Sequence, residues 1–342
     1  MARHLTRRQA LPAAVTIAAA VTSALPSGLA HAGPHRVCRH PGNTVDATFG
    51  DLQDTGFPFG AAIAPDGLTI LSPGFFADRV GVWVRSTPTA TDWALPTSFG
   101  EVGSGDGQFI GPGFACFSAD GLTTLITDGT NNRVQVWTRA NACSVVFRWQ
   151  STFGTAGSGD GQIGGPIASA ITGNGLTAFI AEADNNRVSV WTRTHHARPF
   201  IWSGIACDTP FPSGVAVTQS GRTLFVLSYD QAAVTVLRRE DRSTAWNPIA
   251  TFGAPGSGDG QFLEPQTLAI SRDGRLVYIA DTGNNRVQCF IRRRQGDTWR
   301  WLDQITADGL FLPVGVSITP SADTVLITDT GNGNLVTLTG CT

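Results

Sequence analysis

The sequence predicts an all-β fold: a six-bladed β-propeller of four-stranded blades, its ring closed by an N-terminal outer strand. Three observations carry that expectation. A block of 28 residues recurs six times, beginning at Pro58, Pro112, Pro166, Pro212, Pro265 and Pro313, and the copies match without a gap. Each block holds three short apolar or alternating segments at fixed offsets, as half-buried strands require. A fourth segment rich in Trp and Phe follows five of the blocks, and its sixth counterpart stands ahead of the first.

Strand a follows each proline, as FGAAIA, GFACFS, IASAIT, SGVAVT, QTLAIS and VGVSIT. A hairpin turn comes next, built on Asp66-Gly67, Asp120-Gly121, Asn174-Gly175, Ser220-Gly221 and Asp273-Gly274; the sixth copy has Ala322-Asp323, which predicts a different turn. Strand b (LTILS, LTTLIT, LTAFIA, RTLFVL, RLVYIA, DTVLIT) leads to a b–c turn with Asn131-Asn132, Asn185-Asn186 and Asn284-Asn285, where Asn tolerates left-handed backbone. Strand c (RVGVW, RVQVW, RVSVW, AVTVL, RVQCF, NLVTL) completes the block. Strand d is expected at Trp93 to Phe99, Val146 to Phe153, Pro199 to Ile205, Trp246 to Phe252 and Trp299 to Ile305. Since the sixth block ends at Leu338 without such a strand, Val45 to Gly50 is expected to supply it, which removes the open edges of the sheets.

The order FG, GSGDGQ, proline and D-x-x-N-N-R-V resembles the NHL-repeat family of β-propellers, from about Val45 to Leu338 and most closely in the copies starting at Phe99, Phe153 and Phe252. The resemblance implies the fold; propellers serve unrelated functions, so it names no ligand.

The chain has 342 residues with 42% hydrophobic content, and the repeat leaves room for one domain, at residues 45–342. Residues 1–32 read as an export signal: Arg3, Arg7 and Arg8, an uncharged apolar run from Leu11 to Leu25, then Ala30-His31-Ala32 as a cleavage signal. Thr6-Arg7-Arg8-Gln9-Ala10-Leu11 resembles a twin-arginine address, and an ordinary secretory signal with a basic start is the other reading. Residues 33–44 form a lead. The expected location is secreted or extracytoplasmic, with no membrane anchor and a monomeric chain. Without the signal there are 21 basic residues, all Arg, against 26 acidic, a formal charge of −5. That balance disfavours nucleic acid, whose binders need a concentrated basic face.

Six cysteines in an oxidising destination show no metal-binding spacing. A disulfide between Cys38 and Cys341 is expected, because it would restore the covalent c–d link that the cut sixth blade lacks; Cys116, Cys143, Cys207 and Cys289 are expected free or packed.

Six-bladed lyases, lactonases and phosphotriesterases of similar shape hold a divalent metal with acids, Asn or His aimed into the channel. Strand a here carries no acid and no His, and His35, His40, His195 and His196 lie outside the repeat core. No cofactor is therefore expected; calcium at Asp106, Asp160 and Asp259 of the GSGDGQ loops, or zinc at His195-His196, has no further support, and an Asx-stabilised turn is favoured for the loops. No nucleophile elbow or phosphate loop occurs, so no catalytic residue is assigned and enzymatic activity is left open. Trp83, Trp137 and Trp191 share one repeat position, and inter-blade packing is favoured over a binding stripe. Asp128, Glu182 and Asp281 recur with Arg133, Arg187 and Arg286 five residues on, read as exposed turn-holding pairs.

Departures from the repeat point elsewhere. Phe57 and Phe211 precede their prolines where other copies have Gly, Glu or Leu, while Phe75 and Tyr229, with Phe76 beside Phe75, occupy one b–c turn position. Both sets belong to blades 1 and 4, opposite one another in a ring of six. These aromatics are the candidate ligand-binding residues, for a protein, peptide or glycan partner, and repeat decay with local packing is the other reading. A lyase or hydrolase with its site on the same face is the alternative function.

Overall fold

A computed structural model describes residues 44–240, 245–294, 298–306 and 309–339. The export signal, the lead and the Cys38–Cys341 pair lie outside the described residues. Within them, six four-stranded antiparallel sheets follow one another. Blade 2 shows the pattern: strand a Pro112–Phe117, b Thr123–Asp128, c Arg133–Thr138 and d Arg148–Phe153. Blade 1 (a Ala62–Ile63 to d Ala94–Phe99), blade 3 (a Pro166–Ile171 to d Ile201–Asp208), blade 4 (a Pro212–Val217 to d Asn247–Phe252) and blade 5 (a Pro265–Ile270 to d Arg300–Ile305) repeat it.

Blade 6 takes strands a, b and c from Pro313–Ile318, Thr324–Asp329 and Asn334–Thr339, and its outer strand from Thr44–Phe49, antiparallel to strand c with Val45 opposite Leu338 and Phe49 opposite Leu335. The two ends of the propeller thus share one sheet, and no blade edge is left where the ring would open. Phe49 fixes this strand from outside the ladder, its ring 5.2 Å from Trp83 and 5.3 Å from Trp93 of blade 1.

The core is not one mass but a wedge at each blade interface. Between blades 1 and 2, Leu71, Val80 and Val82 meet Phe109, Ile126, Trp137 and Phe147; between blades 4 and 5, Phe225, Leu227 and Val236 meet Leu268, Ile279 and Phe290. Trp83, Trp137 and Trp191 are buried in such wedges, so their shared position is a packing position. Every c–d pair also shifts register near this position, at Val136/Trp137 in blade 2 for example, which adds local twist.

Two polar devices hold the ends of the blades, the first of them in blades 2, 3 and 5. The first is the carboxylate at the end of strand b. Asp128 accepts from the backbone of Ile110 (2.9 Å), Asn131 (2.9 Å), Arg133 Nε (2.7 Å) and Gln135 (3.1 Å), and Asp281 accepts from Leu263 N, Asn284, Arg286 and Gln288 in the same way. Arg133 then turns its remaining N–H groups on the Gly-rich loop, donating to Ser104 O (2.6 Å), Gly105 O (2.8 Å) and Gln108 O (2.7 Å). Arg187 repeats this between Glu182 (3.0 Å) and Ser158 O (2.7 Å). The second Asn of each pair is left-handed and reaches the next blade: Asn132 Oδ1 accepts from Gly165 N (2.8 Å), Asn186 Oδ1 from Phe211 N (2.9 Å) and Asn285 Oδ1 from Leu312 N (2.8 Å).

The turn pairs are therefore not the exposed contacts expected from sequence. The carboxylate side chains of Asp128, Glu182 and Asp281 are 0% exposed, because the Gly-rich loop folds over them. Nor is that loop held by an Asx bond of Asp106: the side chain of Gln108 accepts from Gly105 N at 2.9 Å, as Gln162 does from Gly159 N and Gln261 from Gly258 N. Blade 6 lacks the cation, since Asn334 stands where blades 2, 3 and 5 have Arg, and burial pushes the Asp329 carboxyl above its usual range against donors from Asn332 and the Phe311 backbone.

The second device was legible as a repeated Arg but not singled out. Arg85, Arg139, Arg193 and Arg239, at the end of strand c, donate through Nε to the carbonyls of Gly67, Gly121, Gly175 and Gly221 in the a–b turns. Each guanidinium also lies over an aromatic ring at the start of strand d, such as Arg193 over Phe200 at 4.6 Å and Arg239 over Trp246 at 5.0 Å.

The sixth a–b turn corrects the sequence reading. Ala322 adopts the left-handed conformation (φ 63) that Gly takes in the other five, and its N–H closes the same bond, to Thr319 O at 2.8 Å. The hairpin geometry is set by the twist of strands a and b, so the turn type is kept and a Cβ is strained. Ala322→Gly is expected to stabilise the protein by about 1 kcal/mol, measured as a shift of the denaturation midpoint. Arg286→Leu is expected to cost about 3–5 kcal/mol, because it leaves the Asp281 carboxylate buried without its cation. Loss of less than about 1 kcal/mol, as for an exposed pair, would show that the loop opens to let water in.

Candidate functional site

Antiparallel order places the d–a and b–c connections on one face of the ring and the a–b and c–d connections on the other. The candidate aromatics all lie on the first face. In blade 1, Phe57 and Phe76 are 5.4 Å apart edge to face, Phe76 and Phe75 5.2 Å, and Phe75 packs 4.8 Å from the buried Phe59. In blade 4, Phe211 and Tyr229 are 5.3 Å apart. The structure thus gathers these residues into two clusters, one in each blade.

Their backbone explains part of the pattern. The residue before the proline is left-handed in all six copies: Gly111 (φ 65), Gly165 (φ 57), Phe57 (φ 64), Phe211 (φ 38), Glu264 (φ 51) and Leu312 (φ 49). Phe57 and Phe211 therefore bear side chains where Gly would sit without strain, a cost of about 1 kcal/mol or more each. At the b–c turn position, Thr282 and Thr330 donate to the proline carbonyls of the next blade, Pro313 and Pro58, at 2.7 Å. Phe75 and Tyr229 give up that bond and lean on the next blade with rings. A Cβ at Gly111 would lie 3.0 Å from the Phe75 ring, and Tyr229 bonds Glu264. Burial first, and then the Glu264 carboxylate, push the Tyr229 hydroxyl up to about 12. Phe57, Phe75, Phe211 and Tyr229 are half-buried by these contacts, while Phe76 is 49% exposed. Leu52, on the four-residue helix Leu52–Thr55 that replaces a Gly-rich loop, and Leu263 add exposed apolar surface to the same face.

The channel between the six strands a is a cavity of about 270 Å³. Its walls are mostly Gly, Ala, Val, Ile and Phe, with the polar groups of Cys116, Ser169, Thr267 and Ser317. It is ringed on the a–b face by Pro65, Ala119, Gly173, Gln219, Arg272 and Pro320, away from the aromatics. Two blades meet sideways here: Gly60 N donates to Gly113 O and Ala115 N to Gly60 O, both at 3.1 Å. A Cβ on Gly60 would overlap the Phe114 ring, so strand a of blade 1 needs Gly at this approach. The charged group at the mouth, Arg272, was not singled out from sequence; its signal is that other copies hold Pro, Ala, Gly or Gln at that position.

His195 and His196 lie exposed on a c–d connection, with ring centroids 6.1 Å apart. His195 Nδ1 accepts from Ala197 N at 3.2 Å and His196 Nδ1 lies 3.3 Å from an Arg193 nitrogen. Among the described residues no group of three or more His, Cys, Asp or Glu side chains is placed to hold a metal ion.

The thiols differ in setting. Cys116, in the channel wall 3.4 Å from Ser169 Oγ, has its pKa raised to about 11 by burial. Cys207 lies in strand d of blade 3, because that strand runs past the expected end at Ile205 to Asp208 and leaves no room for a Gly-rich loop. Burial, then the neighbouring Asp208, raise its thiol to about 12. Cys143 is exposed. At pH 8 Cys116 and Cys207 are almost wholly protonated, and only the thiolate attacks an alkylating agent. Native protein treated with iodoacetamide is expected to be modified at Cys143 at least tenfold faster than at Cys116 or Cys207, read by peptide mapping, and raising the pH is expected to speed the two buried sites. Rapid modification of Cys116 at pH 8 would contradict the raised thiol.

Comparison with known proteins agrees with this architecture. The NHL repeat family profile matches residues 262–290. Protein lin-41 of Caenorhabditis elegans is 45% identical over 53 residues, which span 16% of this chain and 4% of that protein's length. Among solved structures, the periplasmic gluconolactonase of Pseudomonas aeruginosa is similar with a TM-score of 0.58 at 16% identity, covering 82% of this chain and 80% of that one. Hydrazine synthase of Kuenenia stuttgartiensis gives 0.56 at 12% identity over 84% and 96%, and a putative 6-phosphogluconolactonase of Bacteroides uniformis gives 0.53 at 15% over 74% and 71%. Identities of this size speak to fold alone. With its repeated carboxylate, Asn-Asn-Arg turns and Gly-rich loops arranged around a closed six-bladed ring, this chain is a β-propeller that carries an NHL repeat at residues 262–290.

Proposed function

We propose that this propeller is an exported binding module, taking a protein, peptide or glycan partner on its d–a and b–c face. The observation that carries the reading is the pairing of strain with exposure in blades 1 and 4. Phe57 and Phe211 hold bulky rings in left-handed backbone, Phe75 and Tyr229 have replaced an inter-blade bond, and Phe76 stands half in solvent. The left-handed backbone of Phe57 and Phe211 and the exposure of Phe76 cost stability, and aromatic groups on a rigid rim are the usual anchors of a binding surface. The alternative is a lyase or hydrolase. Gluconolactonases share the fold, yet the channel wall of this chain offers hydroxyls and one thiol rather than carboxylates or imidazoles, which supports binding over that chemistry.

The test uses residues already present in sister blades. In the combined variant Phe57→Gly, Phe76→Thr, Phe211→Gly and Tyr229→Thr, folding is expected to be retained, with the melting temperature within a few degrees of wild type. Binding to ligands identified on glycan and peptide arrays is expected to weaken by about 2 kcal/mol for each anchor lost. A large drop in melting temperature with unchanged array binding would show that the rings only pack. Hydrolysis of an aldonolactone by the wild type, kept by the variant, would favour the enzyme.

A further inference from the structure

The face opposite the aromatics carries a second departure from the repeat. Arg222 and Arg275 occupy one position, just after the a–b turn, that is Leu68, Leu122 and Leu176 in blades 1 to 3. Arg238 stands where sister strands c end in Val84, Thr138, Thr192 or Ile291, and Arg272 where three copies have Pro65, Ala119 and Gly173. The fold is therefore built without Arg at each of these places, and all four replacements fall in blades 4 and 5. They converge in space. Arg222, Arg238, Arg272 and Arg275 line one cleft of about 1170 Å³ across blade 5, together with Arg292, whose guanidinium lies over the Trp299 ring at 5.0 Å. Burial first, then the Arg238 charge, lower the Arg292 pKa; Asp273 opposes the shift and Arg275 adds to it.

The cleft has its own order. Arg272 Nε donates to Gln219 Oε1 at 2.5 Å and its backbone N–H to Pro320 O at 3.1 Å, which fixes its stem at the boundary between cleft and channel mouth. Gln219, Ser271, Arg272 and Pro320 line both spaces. Asp273 also lines the cleft, with a 3.5 Å contact to Arg275 in which both side chains are more than half exposed, so that contact is screened by solvent and weak.

We propose that this cleft binds a compact polyanion, a small molecule or terminal group bearing two or more phosphate or carboxylate groups. Planar guanidinium forks pair with both chemistries, two N–H groups to two oxygens. A compact ligand fits better than a long charged polymer, since the chain as a whole carries a formal charge of −2 and would repel the parts that overhang. This site is independent of the aromatic face.

Titration of the full chain with tripolyphosphate and with citrate, by calorimetry at low salt, tests it. Saturable one-to-one binding of at least one probe is expected, weakening as salt rises. The variant Arg222→Leu, Arg238→Thr, Arg275→Leu is expected to lose at least tenfold in affinity, and Arg272→Ala alone severalfold, which keeps the test alive if the triple variant does not fold. A control that removes the same charge from exposed arginines of blades 1 to 3, Arg79→Thr, Arg148→Thr, Arg198→Thr, is expected to stay within about threefold. Tighter binding of tripolyphosphate assigns a phosphate ligand and tighter binding of citrate a carboxylate one. Binding of neither probe below about 1 mM, or an equal loss in the control, would overturn the proposal.

Discussion

The buried carboxylate at the end of strand b is the interaction on which the blades depend. It gathers the backbone of the incoming loop, the first Asn of the turn, and the Arg that begins strand c, and through that Arg it holds three carbonyls of the Gly-rich loop. A carboxylate removed from water needs such a set of donors, and once it has them the loop, the turn and the strand ends have one arrangement only. The sequence signature of the repeat is the donor list of this one group. Where the group is lost, as at Gly74 in blade 1 and Ser228 in blade 4, the loop changes too: a short helix capped by Asp51 takes its place in one, and in the other a short connection in which Ser228 donates to Pro210 O.

That dependence explains where the molecule is free to vary. The interfaces between blades are filled by side chains of strands b, c and d, and a change there opens a cavity or strains two sheets at once. The connections on the two faces are constrained only where a carboxylate or an Arg–aromatic lock holds them. Blades 1 and 4 have given up the carboxylate and carry the aromatics; blades 4 and 5 keep their locks and have gained cations beside them. The two faces therefore diverge in chemistry, apolar on one and basic on the other, without disturbing the ring between them.

Closure ties these local arrangements into one unit. The six-bladed ring closes only if its first and last strands share a sheet, and the Thr44–Phe49 strand achieves this with Phe49 wedged against blade 1. The channel that results is narrow, because Gly and Ala at strand a allow the blades to approach closely, and it holds few polar groups.

The sequence by itself determined the number of blades, the order of their strands, the outer strand that closes the ring and the packing role of Trp83, Trp137 and Trp191. All of these follow from period and alternation, which are local properties of a chain. It also marked the residues that break the repeat. Only the tertiary structure decided what those residues do, since burial and convergence depend on segments far apart in the chain. Asp128 and Arg133 read as an exposed pair until a loop some 25 residues earlier is seen to cover them. Ala322 reads as a different turn until strand twist imposes the common one. Phe75 reads as a free aromatic until the neighbouring blade supplies Gly111 to lie over. The arginines of blades 4 and 5 are scattered over some 70 residues of sequence, and they become one site only because antiparallel strands return each a–b turn and each strand-c end to the same face.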